Sequence, residues 1–122
     1  MGQSQQCVAK VLVVEDDPID HCLVPSSLQL CGFEVVHARG IPEAISILQK
    51  NGDIDVVFSD LMIPGDGSGL QDWIRINRPR LVVILGSANM AKTKPSSHVE
   101  YRFFAKPYNM NAVATCIRSL IR

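Results

Sequence analysis

Short apolar runs alternate with amphipathic stretches from one end of the chain to the other. Val8–Val14, Glu34–Ala38, Asp55–Ser59, Leu81–Leu85 and Phe103–Ala105 are rich in Val, Leu, Ile and Phe and are flanked by Gly, Pro, Asn or Asp. Runs of this length between turn signals predict strands, and those without polar alternation predict burial on both sheet faces. The stretches between them follow helical spacing. Asp17 as N-cap and Pro18 in the first turn predict a helix to about Leu30, ended by Gly32. Ile41, Ala44, Ile45 and Leu48 predict a second, over about Pro42–Lys50, stopped by Asn51-Gly52. A third is predicted over about Leu70–Asn77, before Pro79, with Trp73 as a packing residue. The last begins near Asn109 and carries Met110, Val113, Ile117, Leu120 and Ile121 on one face.

Strand and helix in this rhythm predict an α/β fold with one parallel sheet and helices on both faces. Right-handed crossovers then favour a flavodoxin-like, doubly wound, five-stranded sheet of order 2-1-3-4-5. Two places strain the pattern. Residues 88–102, between the fourth and fifth strands, include Lys92-Thr93-Lys94-Pro95-Ser96-Ser97 and show little helical periodicity. The fourth helix is therefore expected to be shortened or missing. Pro25 sits inside the first helix, where a proline costs roughly 3 kcal/mol. A kink or a later start is expected there.

Composition narrows the function. At 122 residues with 47% hydrophobic residues the chain is one domain with a real core. Residues 1–7 read as a flexible polar tail and 8–122 as the folded body. Twelve basic residues balance twelve acidic ones, with no basic stripe for nucleic acid and no polybasic run for a membrane surface. No signal-peptide core and no apolar stretch of about 20 residues is present. Cys7, Cys22, Cys31 and Cys116 lack metal-ligand spacing and read as reduced thiols of a cytoplasmic protein. His21, His37 and His98 have no ligand spacing either, and read as surface or satisfied side chains.

The chemistry lies where the strands end. The first runs into Glu15-Asp16-Asp17, and the third into Asp60, followed by the turn-rich Leu61-Met62-Ile63-Pro64-Gly65-Asp66-Gly67-Ser68-Gly69. Gly65, Gly67 and Gly69 read as a permissive loop. In the predicted strand order the first and third strands are neighbours, so Glu15, Asp16 and Asp60 converge. Carboxylates about 5 Å apart repel by roughly 3 kcal/mol at an effective dielectric near 20. A hard cation such as Mg²⁺ removes the conflict and leaves sites for phosphate oxygens. Ser87 after strand four, with small neighbours Gly86 and Ala88, and Lys106 after strand five add a hydroxyl and an ammonium. Acids, hydroxyl and ammonium on one rim suit phosphoryl transfer, which is largely positioning and charge neutralisation. Read singly, each group has a plainer role, such as an N-cap cluster, a turn cap or a solvated charge.

The segments Val11-Leu12-Val13-Val14-Glu15-Asp16-Asp17-Pro18, Ser59-Asp60-Leu61-Met62-Ile63-Pro64-Gly65, Gly86-Ser87-Ala88 and Ala105-Lys106-Pro107-Tyr108 resemble the receiver domain of two-component response regulators. The resemblance runs from about Lys10 to Arg122, with the four motifs in family order. It implies that Asp60 is the phosphoacceptor for the phosphohistidine of a sensor histidine kinase or histidine phosphotransfer protein. It implies Mg²⁺ held directly by Asp16, largely through water by Glu15, and by Asp60 and the main-chain carbonyl of Met62. Ser87 would be the switch hydroxyl, Phe103 the aromatic switch position, Lys106 the phosphate-binding lysine, and Lys106-Pro107 a cis peptide. Glu15 stands where the family often has Asp, Ser87 where Thr is more frequent, and Phe103 where Tyr is more frequent. With the fourth helix reduced, at most a weak homodimer is expected.

The reading is a self-phosphorylating switch rather than a metabolic enzyme. Its output would be protein–protein contact or phosphorelay, either alone or as the receiver of a hybrid kinase. A pseudo-receiver acting as an adaptor is the alternative. It predicts kinase binding indifferent to Mg²⁺ and to Asp60→Asn. A flavin-binding protein is a weaker one, because three acids after strand one would repel a flavin phosphate.

Overall fold

The computed structural model describes residues 9–15, 18–60, 67–87, 102–105 and 108–121. They form five strands and four helices: β1 (Lys10–Val14), α1 (Pro18–Leu30), β2 (Glu34–Ala38), α2 (Ile41–Lys50), β3 (Val56–Asp60), α3 (Gly67–Asn77), β4 (Val82–Ser87), β5 (Arg102–Ala105) and α4 (Met110–Leu120). All sheet pairings are parallel, in the order β2-β1-β3-β4-β5. The predicted architecture is therefore observed.

Strand pleating divides the core into two layers. Leu12 and Val14 join Val57, Val83 and Leu85 against Ala44 and Leu48 of α2 and Leu70 and Ile74 of α3. Val11 and Val13 join Val56, Phe58 and Ile84 against Val24 and Leu28 of α1 and Val113 and Ile117 of α4. Apolar residues at successive strand positions are thus needed on both faces, which is why the strands read as continuous runs rather than alternations. Trp73 is half-buried and packs on the first layer, as expected.

Helix ends follow local rules. Gly32 takes φ +96°, its N–H donates to Gln29 O at 3.0 Å, and the Phe33 N–H donates to Leu28 O at 3.1 Å. That pair of bonds is the Schellman stop, and buried Phe33 and Leu28 supply its apolar contact. Asn109 caps α4 by accepting from the Ala112 N–H at 3.1 Å.

Three expectations need correction. Helix α3 begins at Gly67, three residues before the predicted Leu70. Gly67, Ser68 and Gly69 are its first turn rather than a loop. Glycine is tolerated there because the first N–H groups of a helix have no intrahelical partner to lose. Strand β4 runs on to Ser87, because pairing with β5 extends the ladder beyond the apolar run. Helix α1 spans Pro18–Leu30 as predicted with Pro25 inside it, so of the two alternatives expected at that proline the later start does not occur. Burial of Val24 and Leu28 offsets the proline, since each fully buried aliphatic side chain stabilises by about 1.5–3 kcal/mol. The expected reduction of the helix between β4 and β5, and the tail at residues 1–7, lie outside the described residues.

Candidate functional site

The sheet register assembles the site from its strands. Val14 lies opposite Ser59, so Glu15 and Asp60 are each the next residue on adjacent parallel strands. Asp60 pairs with Gly86, and Ser87 pairs with Ala105, after which Lys106 follows directly in the chain. Asp60 ends the central strand, with β1 and the Glu15 carboxyl on one side and β4 with Ser87 on the other. Glu15, Asp60 and Ser87 therefore belong to one edge, the carboxyl edge of the sheet, where doubly wound folds place their ligands.

Glu15 is the acid of this edge whose burial and main-chain bonds are described. It is 2% exposed. Its N–H donates to Ala38 O at 3.0 Å, and its carbonyl accepts from His37 Nε2 at 3.1 Å. The side chains of Asp60, Ser87 and Phe103 lie outside the described residues, as do Asp16, Met62, Lys106 and Pro107 entirely. Accordingly, no group of three ligand-type side chains appears among the described residues. Donor chemistry tests the metal instead. The acidic residues at the ends of β1 and β3, Glu15 and Asp60, carry oxygen donors only, a chemistry that fits a hard cation such as Mg²⁺ and not a thiolate- or imidazole-seeking ion.

Sequence reasoning missed two features of this edge. Gly86 was read as clearance for Ser87, but its space belongs to Tyr108. A Cβ at Gly86 would collide with the Tyr108 ring and hydroxyl. Tyr108 also meets Phe58 edge-on, with ring centroids 5.0 Å apart and an interplanar angle of 62°. The residue two after Lys106 is thereby seated against Phe58 of β3 and Gly86 of β4, the residue paired with Asp60. An aromatic directly behind Lys-Pro, with a glycine next to last in β4, was the available signal. The second feature is the His37 bond to Glu15. It becomes visible once the end of β2 is placed beside the end of β1.

The opposite edge carries an open depression of 440 Å³ whose lining includes Ile54, Asn77, Arg78 and Arg80. There Arg78 donates to the carbonyls of Leu48 at 3.2 Å and of Gly52 and Ile54 at 3.3 Å. Its guanidinium is engaged in tying the α2 exit to the α3 exit, so this edge is structural. Among the described residues no helix is long and apolar enough to cross a membrane.

Known proteins share this fold and sequence pattern. Residues 11–118 match the family model for the response regulator receiver domain. The two-component response regulator ARR2 of Arabidopsis thaliana is 30% identical over 118 residues, covering 93% of this chain. The chain spans only 18% of that protein's length. The response regulator TrrA of Thermotoga maritima, solved in complex with Mg²⁺-BeF, superposes with a TM-score of 0.81 at 25% identity, covering 93% of this chain and 99% of that one. The receiver domain of the hybrid histidine kinase CckA gives 0.78 at 27%, covering 93% and all of that chain. A family match across most of the sequence meets a fold whose strand ends carry the motifs in order, and the chain belongs to the response regulator receiver domain family.

Proposed function

We propose that this chain is a phosphoacceptor module that takes a phosphoryl group onto Asp60 from the phosphohistidine of a sensor histidine kinase or histidine phosphotransfer protein. The observation that carries this reading is the register, which sets Glu15, Asp60 and Ser87 on three adjacent strand ends, with Lys106 following the fourth. An Asp60 carboxylate oxygen attacks phosphorus in line as the P–N bond to the donor imidazole breaks. The leaving nitrogen keeps the electron pair and is protonated, and Asp60 becomes an acyl phosphate. Water later cleaves the acyl phosphate, releasing inorganic phosphate and restoring the carboxylate.

The other residues position and neutralise. Lys106 offers its ammonium to a phosphoryl oxygen, and Ser87 donates its hydroxyl to another. Glu15, Asp16, Asp60 and the Met62 carbonyl would hold Mg²⁺, which when bound neutralises charge shared between the carboxylates and the phosphoryl oxygens. Ser87 and Phe103 would report the phosphorylated state to the surface, with Lys106-Pro107 as the cis peptide. The folded body 8–122 would act as a signalling switch in the cytoplasm, where the thiols of Cys31 and Cys116 would stay reduced. Its output would be protein–protein contact or onward relay, with at most a weak homodimer. Nothing among the described residues favours the adaptor alternative.

The test is direct. Purified protein with Mg²⁺ and acetyl phosphate should gain one phosphoryl group by intact mass. Asp60→Asn should gain none, and chelation of Mg²⁺ should suppress uptake by the native chain. Failure of the native chain to acquire the group under these conditions overturns the reading.

A further inference from the structure

Both main-chain polar groups of Glu15 are tied to the edge strand β2. The Glu15 N–H donates to Ala38 O at 3.0 Å, continuing the parallel ladder one residue beyond Val14. The Glu15 carbonyl accepts from His37 Nε2 at 3.1 Å, a side chain paired in register with Val13 and half-buried. A carbonyl oxygen has no proton to give, so Nε2 must carry one, either in the Nε2–H tautomer or in the imidazolium. The peptide unit from Glu15 to Asp16 is planar. Holding its oxygen therefore sets the plane in which the chain enters Asp16, while the Glu15 side chain stays at 2% exposure.

We infer that His37 is a positioning residue for the acidic turn: its Nε2–H bond to the Glu15 carbonyl fixes the peptide that leads out of β1 into that turn and so sets the affinity for Mg²⁺. The inference rests on the reading of Glu15 and Asp16 as metal-holding groups. It assigns a role to a histidine that has no ligand spacing and does not touch the phosphoryl group. Removing such an outer partner typically weakens metal binding by about 10–100-fold. Acting on main chain rather than on a ligand side chain, His37 belongs at the lower end.

The test compares two variants of the full chain. His37→Phe keeps a flat ring without a donor, and His37→Gln keeps an amide donor. Titration with Mg²⁺, followed by amide chemical shifts, should show His37→Phe weakened by about ten-fold and His37→Gln close to native. At saturating Mg²⁺ the rate of phosphorylation by acetyl phosphate should be the same in all three, separating metal affinity from the chemical step. Native affinity in a folded His37→Phe, or equal losses in both variants, overturns the inference. Should His37→Phe not fold, long-range proton–nitrogen spectra of the native chain decide the matter. An Nε2-protonated ring supports the proposal, and an Nδ1–H tautomer overturns it. A native chain that binds no Mg²⁺ removes the metal reading itself and the inference with it. Loss confined to His37→Phe tells against neither.

Discussion

The two edges of the sheet use charge in opposite ways. At the amino edge, signs alternate and the groups answer one another. Lys10 Nζ lies 3.1 Å from Asp53 and 3.7 Å from Glu34, the Lys10 N–H donates to Asp55 Oδ2 at 2.9 Å, and Arg78 spans three carbonyls. At the carboxyl edge, acids of one sign are brought together by adjacent strands, and Glu15 is buried. Exposed alternating charges cost little and hold loops. Like charges gathered at a strand edge raise the energy of the resting fold, and a fold keeps them for a ligand that neutralises them.

Breaking the carboxyl edge should give the largest effects. Glu15→Gln keeps the shape and removes the charge, and should weaken Mg²⁺ binding by about 10–100-fold with little change in fold. Titration of the native and variant chains checks this, and equal affinities would detach Glu15 from the metal. Gly86→Ala attacks the same edge from beneath, by evicting the Tyr108 ring. Overpacking of this kind destabilises by about 1–3 kcal/mol, which thermal unfolding would register as a drop of several degrees. Uptake from acetyl phosphate should also slow, because Tyr108 anchors the segment that carries Lys106. Adding Tyr108→Leu should recover part of the lost stability, as contacting residues are non-additive.

Much of this edge is legible in the amino-acid sequence. Val11 to Val14 read as a strand covered on both sides, and all four are essentially inaccessible. Asp60 read as the end of a central strand because its run was apolar and its neighbours in sequence were turn formers. What escaped was tertiary. Gly67 and Gly69 carry the low helix propensity of loop residues, yet α3 tolerates them in its first turn. Gly86 looked like open space because the ring that fills it comes from 22 positions later in the chain. His37 looked inert because its partner is a main-chain oxygen, which no side-chain spacing rule detects. Local patterns encode periodicity and stops, whereas these contacts exist only after strand order and register are fixed.

The amino edge should respond in stability alone. Arg78→Ala strips its donor from the carbonyls of Leu48, Gly52 and Ile54. A lost partner at a buried polar group costs about 1–3 kcal/mol, and bonds this long place the effect in the lower half. Chemical denaturation should show that loss while phosphoryl uptake at saturating Mg²⁺ stays native. A comparable fall in uptake would mean that the two edges are coupled through the sheet, and the contrast drawn above would fail.

The smallest expected effect separates the edges by pH. The side-chain bond from Lys10 holds the Asp53 carboxyl below its ordinary range, and the same bond raises the Lys10 ammonium. A depressed folded pKa gives stability that is present above the unfolded value and lost as pH falls through the folded one. A raised ammonium gives stability that is present below its unfolded value and lost as pH climbs through the folded one. The pair therefore stabilises across neutral pH and fails at both extremes. Because Asp53 is largely exposed, added salt should screen the interaction. Asp53→Asn should make unfolding temperature slightly less sensitive to acid and to salt, with Mg²⁺ affinity unchanged. A shift in Mg²⁺ affinity would show that charge at the amino edge is felt across the length of the strands.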